Sequence, residues 1–248
     1  TVTGSAGGVY NYQSKSTITN CTFFQNTANN GGGVSNSNQS NSTVTNCTFS
    51  GNHSAVEGRG MFNYDGSKPT VTNCIFWNSP GSQVYNGNGS TPVVSYCVVK
   101  GGYVGGTEIR DTDPCLENLG DNGGPTQTCL LGDKSSARNA GTESEIVGGT
   151  NVVPAKDQRG RTRPEGDAVD MGAVEMGTFL IRASAGTGGS ISPSGEIIVS
   201  SGASRKFTLT PEAGYEIADL KVDGASRGAL SSYTFTNITK DHTIAGEF

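Results

Sequence analysis

Short alternations of apolar and polar residues recur along the first hundred residues at a nearly constant spacing. Thr17-Ile-Thr19 sets one apolar side chain between two hydroxyls, Asn20 follows, and Cys21 and Phe23 resume the alternation. Thr43-Val-Thr-Asn-Cys-Thr-Phe49 and Thr70-Val-Thr-Asn-Cys-Ile-Phe76 repeat the pattern, and Val93-Val-Ser-Tyr-Cys-Val-Val99 is a worn fourth version. A second motif keeps step with it: Gly7-Gly-Val-Tyr-Asn11, Gly32-Gly-Val-Ser-Asn36, Gly60-Met-Phe-Asn63 and Gln83-Val-Tyr-Asn86. Alternation of period two predicts strands, and repetition every 23 to 27 residues predicts a stacked solenoid.

The residue types narrow the architecture. Thr, Val, Ile and Phe fill the strand positions, Gly, Asn and Ser fill the gaps, and no copy has room for a helical apolar stripe. The repeats contain no Leu, which excludes a leucine-rich scaffold. These features predict an all-β chain, a right-handed parallel β-helix over residues 1–110. Equivalent residues then stack into ladders: Ile18, Val44 and Val71; Phe23, Phe49 and Phe76; and the thiols Cys21, Cys47, Cys74 and Cys97. Asn20, Asn46 and Asn73 mark a bend, because Asn tolerates positive φ and its amide can bond the neighbouring rungs. Buried thiols act as small hydrophobes, and with only His53 and His242 elsewhere they do not read as a metal set.

Beyond Lys100 the repeat fades. Residues 111–176 alternate apolar pairs with Asp, Arg and Gly, and read as an end-cap of the solenoid. Asp157, Arg159, Arg163, Asp167 and Asp170 form the densest charge cluster, read as Arg–carboxylate pairs that fix a loop. Asp111 and Asp113 are weaker candidates for calcium, the one cofactor considered. Residues 177–248 form a separate module, a meander of short strands from Thr178-Phe-Leu-Ile181 to the final His242-Thr-Ile-Ala-Gly-Glu-Phe248.

Charge and composition restrict the function. A net charge of −5 and a pI near 5.1 argue against nucleic-acid binding. With 16% charged residues, the exterior is largely hydroxyl and amide, as suits an extracellular or cell-surface protein. No apolar run approaches the ~20 residues of a membrane span. Cys115 and Cys129 fall outside the repeat with a Gly- and Asn-rich loop between them, and are expected to form a disulfide. Asn-x-Ser/Thr sites at Asn38, Asn41 and Asn88 fall in loops and are candidates for glycans, whereas Asn20 and Asn46 are expected to face inward. Thr1–Thr3 reads as an uncapped first rung, and predicts head-to-tail association with another copy of the chain.

Thr112-Asp-Pro-Cys-Leu116, Leu119-Gly-Asp-Asn-Gly-Gly-Pro-Thr-Gln-Thr128, Ala137-Arg-Asn-Ala-Gly141, Asp157-Gln-Arg-Gly-Arg-Thr-Arg-Pro164 and Ala168-Val-Asp-Met-Gly-Ala-Val-Glu175 occur in that order. Together they resemble the C-terminal region of the bacterial and archaeal surface β-helix proteins called choice-of-anchor Q. The coils upstream are similar to the polymorphic-outer-membrane-type repeats that precede this region. Cys115 and Cys129 depart from that pattern together, which adds to the expectation of a bridge. The module from 177 onward resembles the internalin-B-repeat-like spacer, which implies a β-grasp-like fold with no chemistry of its own.

Three functions follow as expectations. The first is a non-enzymatic secreted or cell-surface structural or adhesive protein that assembles with itself or holds envelope polysaccharide. The second is a carbohydrate-binding β-helix using Tyr10, Tyr12, Tyr64, Trp77 and Tyr85 as stacking platforms. The third is a polysaccharide lyase or hydrolase, which needs paired carboxylates on one coil face. Against it, Lys15, His53, Glu57, Arg59, Asp65 and Lys68 are the ionisable residues between Gly7 and Val99, cysteines and tyrosines aside.

Overall fold

The computed structural model describes residues 6–238 and 240–248. The expectation built on Thr1–Thr3 lies outside the described residues. The chain divides into two compact units, 1–176 and 177–248.

In the first unit the predicted alternations become stacked parallel strands. Val9–Tyr12, Val34–Ser37, Met61–Asn63 and Val84–Asn86 form one four-stranded sheet. Thr17–Thr19, Thr43–Thr45 and Thr70–Thr72 stack on a second face, and Thr22–Phe24, Thr48–Ser50 and Ile75–Trp77 on a third. Strand Val93–Val99 pairs with both of these columns. Thr27–Asn30 and His53–Glu57 close the first two coils. Ile18, Val44, Val71 and Val94 pair in parallel register and fall on one line. The first unit is thus built on a right-handed parallel β-helix of about four turns.

The interior is built from ladders. Phe23 stacks on Phe49 at 4.6 Å and Phe49 on Phe76 at 4.5 Å, close to the spacing of the coils. The glycine pairs of the second motif explain how these rings fit. A Cβ at Gly33 would lie 2.5 Å from the Phe49 ring, and one at Gly60 would lie 2.4 Å from Phe76. Cys47, Cys74 and Cys97 are buried beside Val44 and Val71, and each thiol donates to the carbonyl two residues earlier. Cys21 is half-buried in the same column. Burial raises the Cys47 and Cys74 pKa values well above the free-thiol value, which keeps them neutral.

An asparagine ladder runs inside the coils. Asn11 donates to Asn36, Asn36 to Asn63 and Asn63 to Asn86, at 2.8, 2.8 and 2.9 Å. Asn86 then donates to the Tyr103 hydroxyl at 2.8 Å, which ends the chain of amides. Tyr103 and Ile109 pack against the main core cluster, and strand Thr107–Arg110 pairs below Val93–Val99. Residues 101–110 therefore cover this end of the core.

Residues 137–176 lie along the side of the coils, not across their end as the end-cap reading held. Asn20 donates to the Lys156 carbonyl, Asn46 to that of Asp170, and Asn73 to that of Thr142. The three bend asparagines have φ between 50° and 52°. Their amides turn out of the core and into this lateral segment, with one rung-to-rung bond, from Asn73 to Asn46 at 3.4 Å. The expectation that Asn20 and Asn46 face inward is thereby corrected. The outward side chains Ile75 and Val98 meet Leu130, Leu131, Met171 and Val174 in a second core. Thr45 and Thr72, on the outward side of their strands, are fully buried beneath the segment.

The second unit consists of two sheets. One holds strands 195–200, 178–185, 242–247, 219–222 and 225–226 in that order, and the other holds 189–192, 205–211 and 232–235. Strands Thr178–Ala185 and His242–Glu247 pair in parallel, so the unit closes first strand on last and is not a simple meander. Ile181, Phe207, Leu220 and Ile244 are buried in its own core. Among the described residues no helix is long and apolar enough to cross a membrane.

Candidate binding face

The outer side of the four-stranded sheet carries the candidate site. Because the register is parallel, the residue before the closing Asn of the second motif forms an external column: Tyr10, Ser35, Phe62, Tyr85. Two residues on, Tyr12 pairs with Ser37, and Tyr64 lies in the next coil. Aromatic side chains thus stand on the first, third and fourth coils, while the second carries only serines. Phe62 stacks on Tyr85 at 5.2 Å and 8°, and lies 5.8 Å from Tyr64 at 15°. Tyr10 and Tyr12 lean together at 6.4 Å. Between the two aromatic groups is a hollow of about 350 Å³ lined by Tyr10, Asn30, Ser35, Ser37, Phe62 and Tyr64.

None of these lining residues carries a charge at neutral pH. Tyr10, Tyr12 and Tyr64 are 51%, 55% and 43% exposed. Asn38 donates to the Tyr12 hydroxyl at 2.7 Å. Ser35 lies beneath the hollow, 1% exposed, and its unpartnered hydroxyl is sealed from it. Of the five proposed platforms, the structure gathers Tyr10, Tyr12, Tyr64 and Tyr85 here. Trp77 sits elsewhere, partly buried beside the lateral core with the Lys100 ammonium 5.4 Å above its ring. Phe62, Ser35 and Asn30 escaped the sequence reading. The signal for Phe62 and Ser35 was the unequal residue before the Asn of the second motif, with serine in one coil and aromatics in the other three.

The charge cluster forms a buried fastener. Asp157 accepts from the backbone N–H groups of Arg159, Arg161 and Glu175 and pairs with the Arg159 guanidinium. Arg163 donates to Glu175 at 2.7 Å and to the carbonyls of Asp170 and Gly172. Asp170 accepts from the N–H groups of Asn139 and Met176 at 2.6 and 2.7 Å. Burial, reinforced by Glu175, pushes the Asp170 pKa up to about 7. Burial likewise raises that of Glu175, against the pull of Arg163. Asp167, expected in the cluster, is exposed, and Glu175 completes the network in its place.

The remaining candidates are dispersed. Asp111 accepts from the Gly101 N–H and Asp113 from the Cys115 N–H, both at 2.7 Å, so each carboxylate caps its own turn. Among the described residues no three metal-binding side chains converge. Cys115 and Cys129 are free thiols, so the expected bridge is not formed. The two-stranded pairing Leu116↔Leu131 sets Cys115 opposite Gly132, three positions from Cys129. That offset is about 10 Å along the strand, beyond the reach of a disulfide. Asn41 and Asn88 are exposed, and Asn38 is partly covered by Tyr12. In the coils, Arg59 bonds the Ser54 hydroxyl and the Val56 carbonyl, and Asp65 accepts from Asn88.

A family model described as right handed beta helix region matches residues 1–136. No curated protein and no solved structure matches the chain.

Proposed function

The chain belongs to the right-handed β-helix family, and from that premise we propose that it is a non-enzymatic secreted or cell-surface protein, a structural rod with an adhesive face. The observation that carries this reading is the use made of its charges. The densest set of Asp, Glu and Arg side chains is buried and spent on holding residues 139–176 to one another. A reaction centre needs such groups at a surface where substrate can reach them. The coil exterior offers hydroxyls, amides and tyrosine rings instead, which suit contact with a hydrated polymer. The likeness of residues 112–175 to choice-of-anchor Q proteins, and of the second unit to an internalin-B-type spacer, supports a place at the cell envelope.

The test is chemical. The full chain, incubated with neutral and uronic-acid polysaccharides, should release neither new reducing ends nor unsaturated products. Sustained product release that is lost on Glu57→Gln or Asp65→Asn would overturn the scaffold reading.

A further inference from the structure

We propose that Cys21 and Cys47 form an internal disulfide when the folded chain meets a hydroperoxide, stapling the first coil to the second. The inference goes beyond the scaffold reading and does not depend on it. Thr17–Thr19 and Thr43–Thr45 pair in register before the cysteines, and Thr22–Phe24 and Thr48–Ser50 pair after them. One Asn-Cys step separates the two strands in each coil, so Cys21 lies directly over Cys47. The Thr48 N–H donates to the Cys21 carbonyl at 2.9 Å and ties the two rungs at this point. Stacked rungs hold their Cα atoms about 4.8 Å apart, inside the range of about 4.4 to 6.8 Å that a disulfide spans. The sulfurs meet as well. The two thiols are in hydrogen-bond contact, and the Cys47 sulfur leans back to the first coil, 3.5 Å from the Ile18 carbonyl. Parallel side chains leave the Cβ atoms slightly wider apart than the roughly 3.5–4.5 Å of a formed bridge, so closure draws the two rungs a little together.

Access selects this pair. Of the four stacked thiols, Cys21 alone is partly exposed, whereas Cys47, Cys74 and Cys97 are 0% exposed. Hydrogen peroxide, close to water in size, therefore reacts at Cys21 and at no other member of the column. One peroxide oxygen passes to the Cys21 sulfur, giving a sulfenic acid, and the other leaves as water. The Cys47 sulfur then attacks the Cys21 sulfur from within the core. The S–O bond breaks, and the hydroxyl leaves as water with the Cys47 proton. In all, two thiols lose two electrons and two protons, and one peroxide becomes two waters. Cys47 needs no path to solvent, because its partner in this step is the sulfur beside it. Its hydrogen bond to Cys21, together with burial, raises the Cys21 pKa and makes the first step slow. Cys115 is partly exposed too, but it sits opposite Gly132, so its oxidation finds no second thiol beside it.

The test uses the wild-type chain at full length. The folded protein should be incubated with hydrogen peroxide, quenched with catalase, unfolded in iodoacetamide without reductant and mapped by mass spectrometry. The Cys21 and Cys47 peptides should be recovered joined, with Cys74 and Cys97 alkylated. The melting temperature of the oxidised protein should rise by several degrees and return with dithiothreitol, since the bridge constrains the loop between the two cysteines in the unfolded chain. Cys21→Ser, a change at the partly exposed position, should leave Cys47 alkylated after the same treatment. Recovery of Cys21 fully alkylated, or as a sulfinic acid with Cys47 alkylated, would overturn the proposal. Oxidation of Cys47 in folded Cys21→Ser would overturn it too, because the core thiols would then be reached without Cys21.

Discussion

For single residues, the strand register decides what each position tolerates. Phe49 is fully buried between two rings, and Phe49→Ala should cost about 3–5 kcal/mol in a denaturant titration. Thr17 and Thr45 both point away from the core, yet Thr17 is exposed and Thr45 lies under the lateral segment with its hydroxyl unpartnered. Thr17→Asp should therefore stay within about 0.5 kcal/mol of wild type, whereas Thr45→Asp should lower stability by several-fold more. Equal effects of the two would mean that the segment does not cover Thr45. Asp170 gives a pH signature. Its folded pKa of about 7 lies above the unfolded value of about 3.9, so between these values the folded chain holds a proton that the unfolded chain has released. Stability from this group should fall as pH rises through that window. Denaturant midpoints at its two ends should show the decline in wild type and a flatter profile in Asp170→Asn.

Among the elements, the lateral segment depends on a few polar anchors. Its amide contacts reach Asn20, Asn46 and Asn73 in three successive coils, and Ala173 donates to Thr48. Behind these, Arg163 compensates Glu175 and ties two carbonyls. Arg163→Met removes the cation and leaves a buried carboxylate, which costs about 3–5 kcal/mol in such settings. Hydrogen exchange should then accelerate across residues 137–176 and at Asn46 and Asn73, while the amides of Val34 and Met61 on the far sheet stay protected. Uniform loss of protection would show that segment and coils fold as one element.

In the molecule as a whole, each unit encloses its own core: Phe49, Phe76 and the thiol column in one, Phe207, Leu220 and Ile244 in the other. Deletion of residues 177–248 should leave the thermal transition of the β-helix within a few degrees of its position in the full chain. Scanning calorimetry of the full and shortened proteins checks this, and loss of the β-helix transition on deletion would contradict it.

The β-helix was legible from the chain alone, because stacking in register makes every coil obey the same inside–outside rule and so writes that rule repeatedly. Ile18, Val44 and Val71, the phenylalanine column and the positive-φ asparagines could all be read from that repetition. What lacked a repeat was decided by the folded arrangement. The course of residues 137–176 along the coils occurs once, and its contacts join positions more than a hundred residues apart, as between Asn46 and Asp170. The same holds for Cys115, whose partner opposite is set by the pairing of Leu116 with Leu131.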